Sequence, residues 1–313
     1  MFGQIGRLMM IYKNYTEYLT ASLTHRKYTE PFCGVDAIAD IALLESYGYT
    51  RCPSALRVAM KNVCGYINLL KDKSTLSPND FLVAALIAKV QCGGIEFQNG
   101  EIPEDDLQGV LEKIREALHE EEDLLLSDSE RLVRLYFLSC LGESFSEFMR
   151  RSLFNRLEIK KMFEQGRLDK LGLYGLILLK SDRLISHYWE YLDYIDEHLE
   201  KHEGLWFRLM RSKELPLEFC DAAGSALVLC AVNRATQLEG GNTEKLRILS
   251  SRVWRGVKHN IIPYQDGFLE VRHSAGHWLE LEDECYLAKP VNSRGRGVLG
   301  ATLLAAISSE CGL

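Results

Sequence analysis

Apolar residues recur at three- and four-residue spacing along most of this chain. Leu107, Val110, Leu111, Ile114 and Leu118 form one stripe, Leu192, Ile195 and Leu199 a second, and Leu246, Leu249, Val253 and Val257 a third. That spacing puts an apolar face along one side of a helix and leaves the other side to polar residues. Period-two alternation, the mark of a half-buried strand, is confined to short stretches after glycines. The pattern predicts an all-α protein with minor β segments in its loops.

The helical segments run for about 10 to 16 residues between short Gly, Asp, Asn or Pro turns, which is the layout of consecutive helical hairpins in bundles, solenoids or closed α/α toroids. No low-complexity linker divides the chain, so residues 1–313 read as a single domain. There is one faint internal echo. HEGLWFRL follows the helix ending near Leu199, and QDGFLEVR follows the helix ending near Val257. In each, an acidic-Gly turn leads from a helix into a short extended stretch.

Composition narrows the class. With 47% hydrophobic and 26% charged residues, 313 residues suffice for a large core. No apolar run of roughly 18 residues is present to span a bilayer, and the start MFGQIGRLMMIYKNYTEYLT lacks the apolar stretch of a secretory signal. A cytoplasmic location is expected. The nine cysteines show no CxxC pair and no zinc-ligand spacing, and are expected to be free, mostly buried thiols. A net charge of −7 argues against a nucleic-acid partner while leaving room for a local basic pocket. Walker and dinucleotide fingerprints are missing, as is a G-x-S-x-G elbow, so no cofactor is expected. The sequence carries no signal for an oligomeric state.

Five stretches occur in a telling order: LGLYGLILLK, EGLWFRLM, DAAGSALVLCAV, RVWRGVKHNIIPYQDG and GVLGATLLAAISSE. Together they resemble the second half of the unsaturated uronyl hydrolases of glycoside hydrolase families 88 and 105, in which a helix, a "DGLW" turn, an "E-S-G-S-A" helix start, a further helix, a "DG" turn and a final "G-x-G-A-x-L-L-A" helix follow one another. The likeness covers Leu171 to Glu310. PFCGVDAIADIALLESYG and LVRLYFLSCLG are compatible with it in the first half. The resemblance implies an (α/α)6 six-hairpin toroid. It also implies a substrate that is a short, lyase-derived oligosaccharide ending in a 4,5-unsaturated uronic acid. In that family an aspartate protonates the C4=C5 enol ether while water adds at C5, and the hemiketal then collapses to release the unsaturated sugar. Such an acid needs a raised pKa.

The resemblance places the catalytic aspartate on Ser129, with Asp128 and Glu130 as its flanking carboxylates. Either could supply the acid. Ser127, Asp128, Ser129 and Glu130 also make a capping box ahead of an apolar run, a purely structural alternative. A second family aspartate falls in LSPNDF, where Ser77 as N-cap and Asp80 in the first helical turn need no substrate. Between Gly142 and Leu171 the family's aromatic motifs are eroded, with Gly166 and Arg167 as their remnant. Asp221 stands where the family has the glutamate of "E-S-G-S-A", or else is the N-cap of the next helix. Arg272, His273, His277, Arg294 and Arg296 gather near the last helix, and their guanidinium groups suit a uronate carboxylate. The two histidines lack the shared helical face a metal site would need, and no metal is expected. Two functions follow from this reading: a divergent unsaturated uronyl hydrolase, or a catalytically degenerate toroid that binds a carbohydrate or a protein partner.

Overall fold

The computed structural model describes residues 12–26, 36–77, 79–92, 103–120, 126–141, 157, 159–178, 185–210, 219–236, 243–275 and 292–311. Among these residues the chain forms twelve helices and one two-stranded hairpin. The helices are α1 (Tyr15–His25), α2 (Ala37–Thr50), α3 (Pro53–Asp72), α4 (Asp80–Cys92), α5 (Glu104–Glu120) and α6 (Asp128–Cys140). There follow α7 (Ile159–Gln165), α8 (Leu168–Leu178), α9 (Ile185–Glu197), α10 (Ala222–Ala235) and α11 (Thr243–Asn260). Strands β1 (Ile261–Pro263) and β2 (Leu269–Val271) precede the last helix, α12 (Arg296–Glu310).

Six of these helices, α2, α4, α6, α8, α10 and α12, pack side by side in that order, and α12 packs back on α2 to close a ring. The others lie outside it, with α1 against α12 and α2, α3 against α2, α5 against α3 and α4, α9 against α8, and α11 against α10. The fold is an all-α, six-hairpin (α/α)6 toroid.

Sequence dictates which helix goes where. Inner helices such as DFLVAALIAKV in α4 and GVLGATLLAAI in α12 are apolar all round and buried on every side. Outer helices are amphipathic: in α5 the predicted stripe Leu107, Val110, Leu111, Ile114 and Leu118 is buried, and in α11 so is Leu246, Leu249, Val253 and Val257. Closure depends on small residues. A Cβ at Gly300 of α12 would lie 2.5 Å from the Cα of Ala39 in α2, so the two backbones meet where only glycine fits. Glu310, at the end of α12, accepts hydrogen bonds from Thr16 N at 2.9 Å and Tyr15 N at 3.3 Å and so caps the outer helix α1.

The internal echo is real. Gly204 (φ 67°) and Gly267 (φ 82°) each turn the chain after an outer helix, and each is followed by an extended stretch leading toward an inner helix. The cysteines differ in part from expectation. Those described are free, but only Cys140 and Cys230 are buried, because Cys52, Cys64, Cys220 and Cys311 sit at helix ends or on outer faces and Cys92 is exposed. No helix among the described residues is long and apolar enough to cross a membrane.

Candidate functional site

Inner helices alternate with outer ones, so all six inner helices start at the same end of the ring, here termed the mouth. Cross-ring contacts agree: Arg296 at the start of α12 reaches Asp40 near the start of α2 at 2.7 Å. From α8 round to α12 the mouth is edged by extended segments joined through their backbones. Met210 N donates to Gly166 O (2.8 Å), Asp221 N to Trp206 O (2.9 Å), Ala222 N to His273 O (2.9 Å) and Asn292 N to Ser274 O (2.9 Å). The acidic-Gly turns exist to feed these segments. Trp206 anchors one of them, fully buried with its indole N–H donating to Ile195 O at 2.7 Å.

Most of the predicted site residues gather at this end, in two groups. Asp128, Glu130, Arg167, Asp221 and Arg296 lie at inner-helix starts, while Arg272, His273 and Arg294 lie on the edging segments. His277 is outside the described residues.

Asp128 opens α6 with its carboxylate 3.1 Å from the Arg131 guanidinium. Glu130 closes a full capping box: its carboxylate accepts from Ser127 N at 2.7 Å, and Ser127 Oγ accepts from Glu130 N at 3.3 Å. Ser129 is buried between them and its hydroxyl has no hydrogen-bond partner. In the neighbouring helix, Asp80 is held by Lys73 Nζ (2.6 Å) and by the amide and hydroxyl of Ser77 (2.7 and 2.8 Å). Arg134 of α6 is buried over the Phe81 ring, 4.5 Å from its centroid, and burial lowers its pKa to about 10.

Arg167 is fully buried and grips Asp169 through two bonds, at 3.1 and 2.7 Å. Asp221 is the N-cap of α10: its Oδ1 accepts from Ala223 N and Gly224 N, both at 3.1 Å, and from Ala275 N at 3.4 Å. Its Oδ2 is buried without a partner. Burial drives the Asp221 pKa up to about 7, outweighing the three amides and Arg208. Asp40, which the sequence reading passed over, behaves alike. Arg296 and Asn62 both donate to its Oδ1 and Oδ2 is unpartnered, while burial raises its pKa to about 6 against the pull of Arg296. A lone Asp inside the otherwise apolar AIADIALL was the signal that could have found it.

The edging segments carry exposed base. Arg272 and His273 are exposed, and His273 holds a left-handed backbone (φ 49°) with Nδ1 3.0 Å from Asn260 Oδ1. Arg294 is exposed, its guanidinium 4.3 Å from the Tyr264 ring centroid. The mouth thus holds two fully buried carboxylates whose pKa burial raises and, on its edge, exposed arginines suited to an anion.

No protein-family model matches the sequence, and no curated protein matches it. The solved structures give a consistent likeness. A family 105 glycoside hydrolase from C. acetobutylicum superposes with a TM-score of 0.76 at 12% identity, over 95% of this chain and 99% of that one. A family 88 glycosyl hydrolase from Bacteroides vulgatus gives 0.69 at 11%, over 95% and 99%. The unsaturated glucuronyl hydrolase of Bacillus sp. GL1, responsible for the degradation of glycosaminoglycan, gives 0.65 at 12%, over 89% and 86%. The chain thus has the fold of the α/α-toroid hydrolases of families 88 and 105 along almost its whole length, and at such identities the likeness is one of fold.

Proposed function

We propose that this chain is a divergent unsaturated uronyl hydrolase, which takes short oligosaccharides ending in a 4,5-unsaturated uronic acid at the mouth and hydrolyses them with Asp128 as the proton donor. The observation that carries this is the closed ring itself. Its inner-helix starts collect the candidate acid and base residues, in a fold matched end to end by the family 105 structure. Asp128 is preferred to Glu130 because Glu130 is tied to the Ser127 backbone in the capping box, whereas Asp128 counts a mobile side chain, Arg131, among its contacts. Arg272 and Arg294, exposed at the edge, hold the uronate. Arg296 and Arg167 are buried in ion pairs and position the helix starts instead.

A second reading draws on one specific observation. Ser129 stands where the resemblance puts the family's acid, and both flanking carboxylates are engaged, in a capping box and an ion pair. A toroid built this way binds the sugar without cleaving it.

Loss of enol-ether absorbance on a panel of unsaturated disaccharides separates the two. Hydrolysis predicts turnover by the wild type, a fall of about 100-fold or more in Asp128→Asn, and retained turnover in Glu130→Gln. Absent turnover, with disaccharide binding that survives both substitutions, selects the binding toroid.

A further inference from the structure

We propose that the outer face of α11 is a binding surface for an anionic oligosaccharide, continuous with the edge of the mouth. A hollow of about 420 Å³ lies there, lined by Glu244, Arg247, Ile248, Ser251, Arg252 and Arg255. Its three arginines are exposed and make no hydrogen bond or ion pair among the described residues. Several arginines elsewhere are paired. Arg26 pairs with Asp266, Arg131 with Asp128, Arg234 with Glu45 and Arg296 with Asp40. Lys245 is turned aside toward Asp193 and Asp196 of α9. On a chain of net charge −7, three unpaired guanidinium groups around one hollow form a local basic site.

The spacing fits a chain-like ligand. Arg247, Ser251 and Arg255 follow one another at intervals of one helical turn, and at about 1.5 Å rise per residue the outer two lie about 12 Å apart along the helix, more than one sugar ring. Guanidinium forks bind carboxylate or sulfate through two parallel hydrogen bonds, and Ser251 adds a hydroxyl for sugar oxygens. Ile248, 53% exposed, offers an apolar surface between them. Among the described residues no aromatic side chain lines the hollow, so they offer no base-stacking platform of the kind a single-stranded nucleic acid would need. Glu244 sits at the helix start and opposes anions there, which directs the ligand toward Arg252, Arg255 and the exposed His259.

That direction leads to the mouth. Asn260, the last residue of α11, accepts the Arg272 N–H at 2.9 Å and contacts the His273 ring, and His273 O in turn accepts the first N–H of α10. An oligosaccharide whose end occupies the mouth would continue over Arg272 and His273 onto α11. The inference rests on the anionic-sugar part of the proposed function, and it extends the substrate class from disaccharides to longer uronide chains.

The test is calorimetric titration with oligogalacturonates of about ten residues, comparing wild type, R247Q/R252Q/R255Q, and a charge-matched control, R57Q/K61Q/K160Q, on other outer helices. The expected result is a Kd at least tenfold weaker in the α11 variant with a shallower salt dependence, the control binding like wild type, and disaccharide turnover equal in all three. The proposal is overturned by equal affinity in the α11 variant, by an equal loss in the control, by absent binding in the wild type, or by oligothymidylate binding as tightly as the oligogalacturonate. Failure of the hydrolase reading would show separately, as absent disaccharide turnover in the wild type.

Discussion

At the end of the ring where the inner helices finish, polar groups are paired between helices. Glu45 of α2 bonds Lys89 of α4 at 2.7 Å and Arg234 of α10 at 3.0 Å, so one carboxylate ties together three inner helices. Beside it, Asn233 of α10 donates to Ser308 and Ser309 of α12 at 2.9 and 2.8 Å and accepts from Ser250 of α11. At the mouth, by contrast, the carboxylates mostly serve their own helix starts, as in the capping box of α6, the Ser77–Asp80 contacts of α4 and the Asp221 cap of α10. Ser129, Asp40 and Asp221 each keep a buried oxygen without a partner. Buried polar atoms without partners cost stability. At the mouth the fold carries that cost in three groups at or near inner-helix starts.

The largest expected effect is therefore at the end where the inner helices finish. Glu45→Ala would leave Lys89 and Arg234 facing each other without their shared anion, and uncompensated charge of this kind costs about 3 kcal/mol even with part of it relieved by solvent. Urea denaturation should show that loss with disaccharide binding at the mouth unchanged in what remains folded. A loss below about 1 kcal/mol would mean that the Asn233 network closes this end without Glu45.

The mouth should reveal itself through pH. Asp221 has a folded pKa of about 7 and Asp40 of about 6, against an ordinary value of 3.8. Between about pH 4 and 7 the native state holds protons that the unfolded chain has released. The contribution of these two groups to stability is thus fullest below pH 4, falls as pH rises through that window, and levels off above it, with a slope of at most about 1.4 kcal/mol per pH unit per proton. Asp221→Asn keeps the cap acceptor and has no proton to lose, so thermal melts from pH 5 to 8 should lose most of that slope in the variant. An undiminished slope would place the titration on Asp40 or elsewhere.

How much of this could be read beforehand depended on sequence distance. The amphipathic stripes of α5 and α11 follow from local spacing, and so does the capping box at Ser127, since each needs only neighbours within a turn or two. The repeated acidic-Gly turns were visible because glycine is needed at their left-handed positions. Contacts that close the ring were not visible. Glu45 and Arg234 are 189 residues apart, and Asp40 and Arg296 are 256 apart. No local pattern specifies such partners; what the sequence does display is the anomaly each creates, a charge within an apolar helix. Arg294 and Arg296 stand two residues apart before the last helix and read as one basic cluster, but folding separates them, because the first lies on an exposed loop and the second begins a helix packed against α2.

The smallest effect sharpens the contrast at the mouth. Ser127→Ala removes one half of the α6 capping box and Glu130→Gln weakens the other, and each should cost about 1 kcal/mol by denaturation. If Glu130 serves only the helix, the two changes act on one motif: the double variant should lose clearly less than the sum of the singles, by about 0.5 kcal/mol or more, and turnover per folded molecule should match wild type. Additive losses accompanied by a drop in turnover would mean that Glu130 reaches the substrate as well as the Ser127 amide. The acid would then be Glu130 rather than Asp128, and the start of α6 would be held less by its own cap than by the ligand it receives.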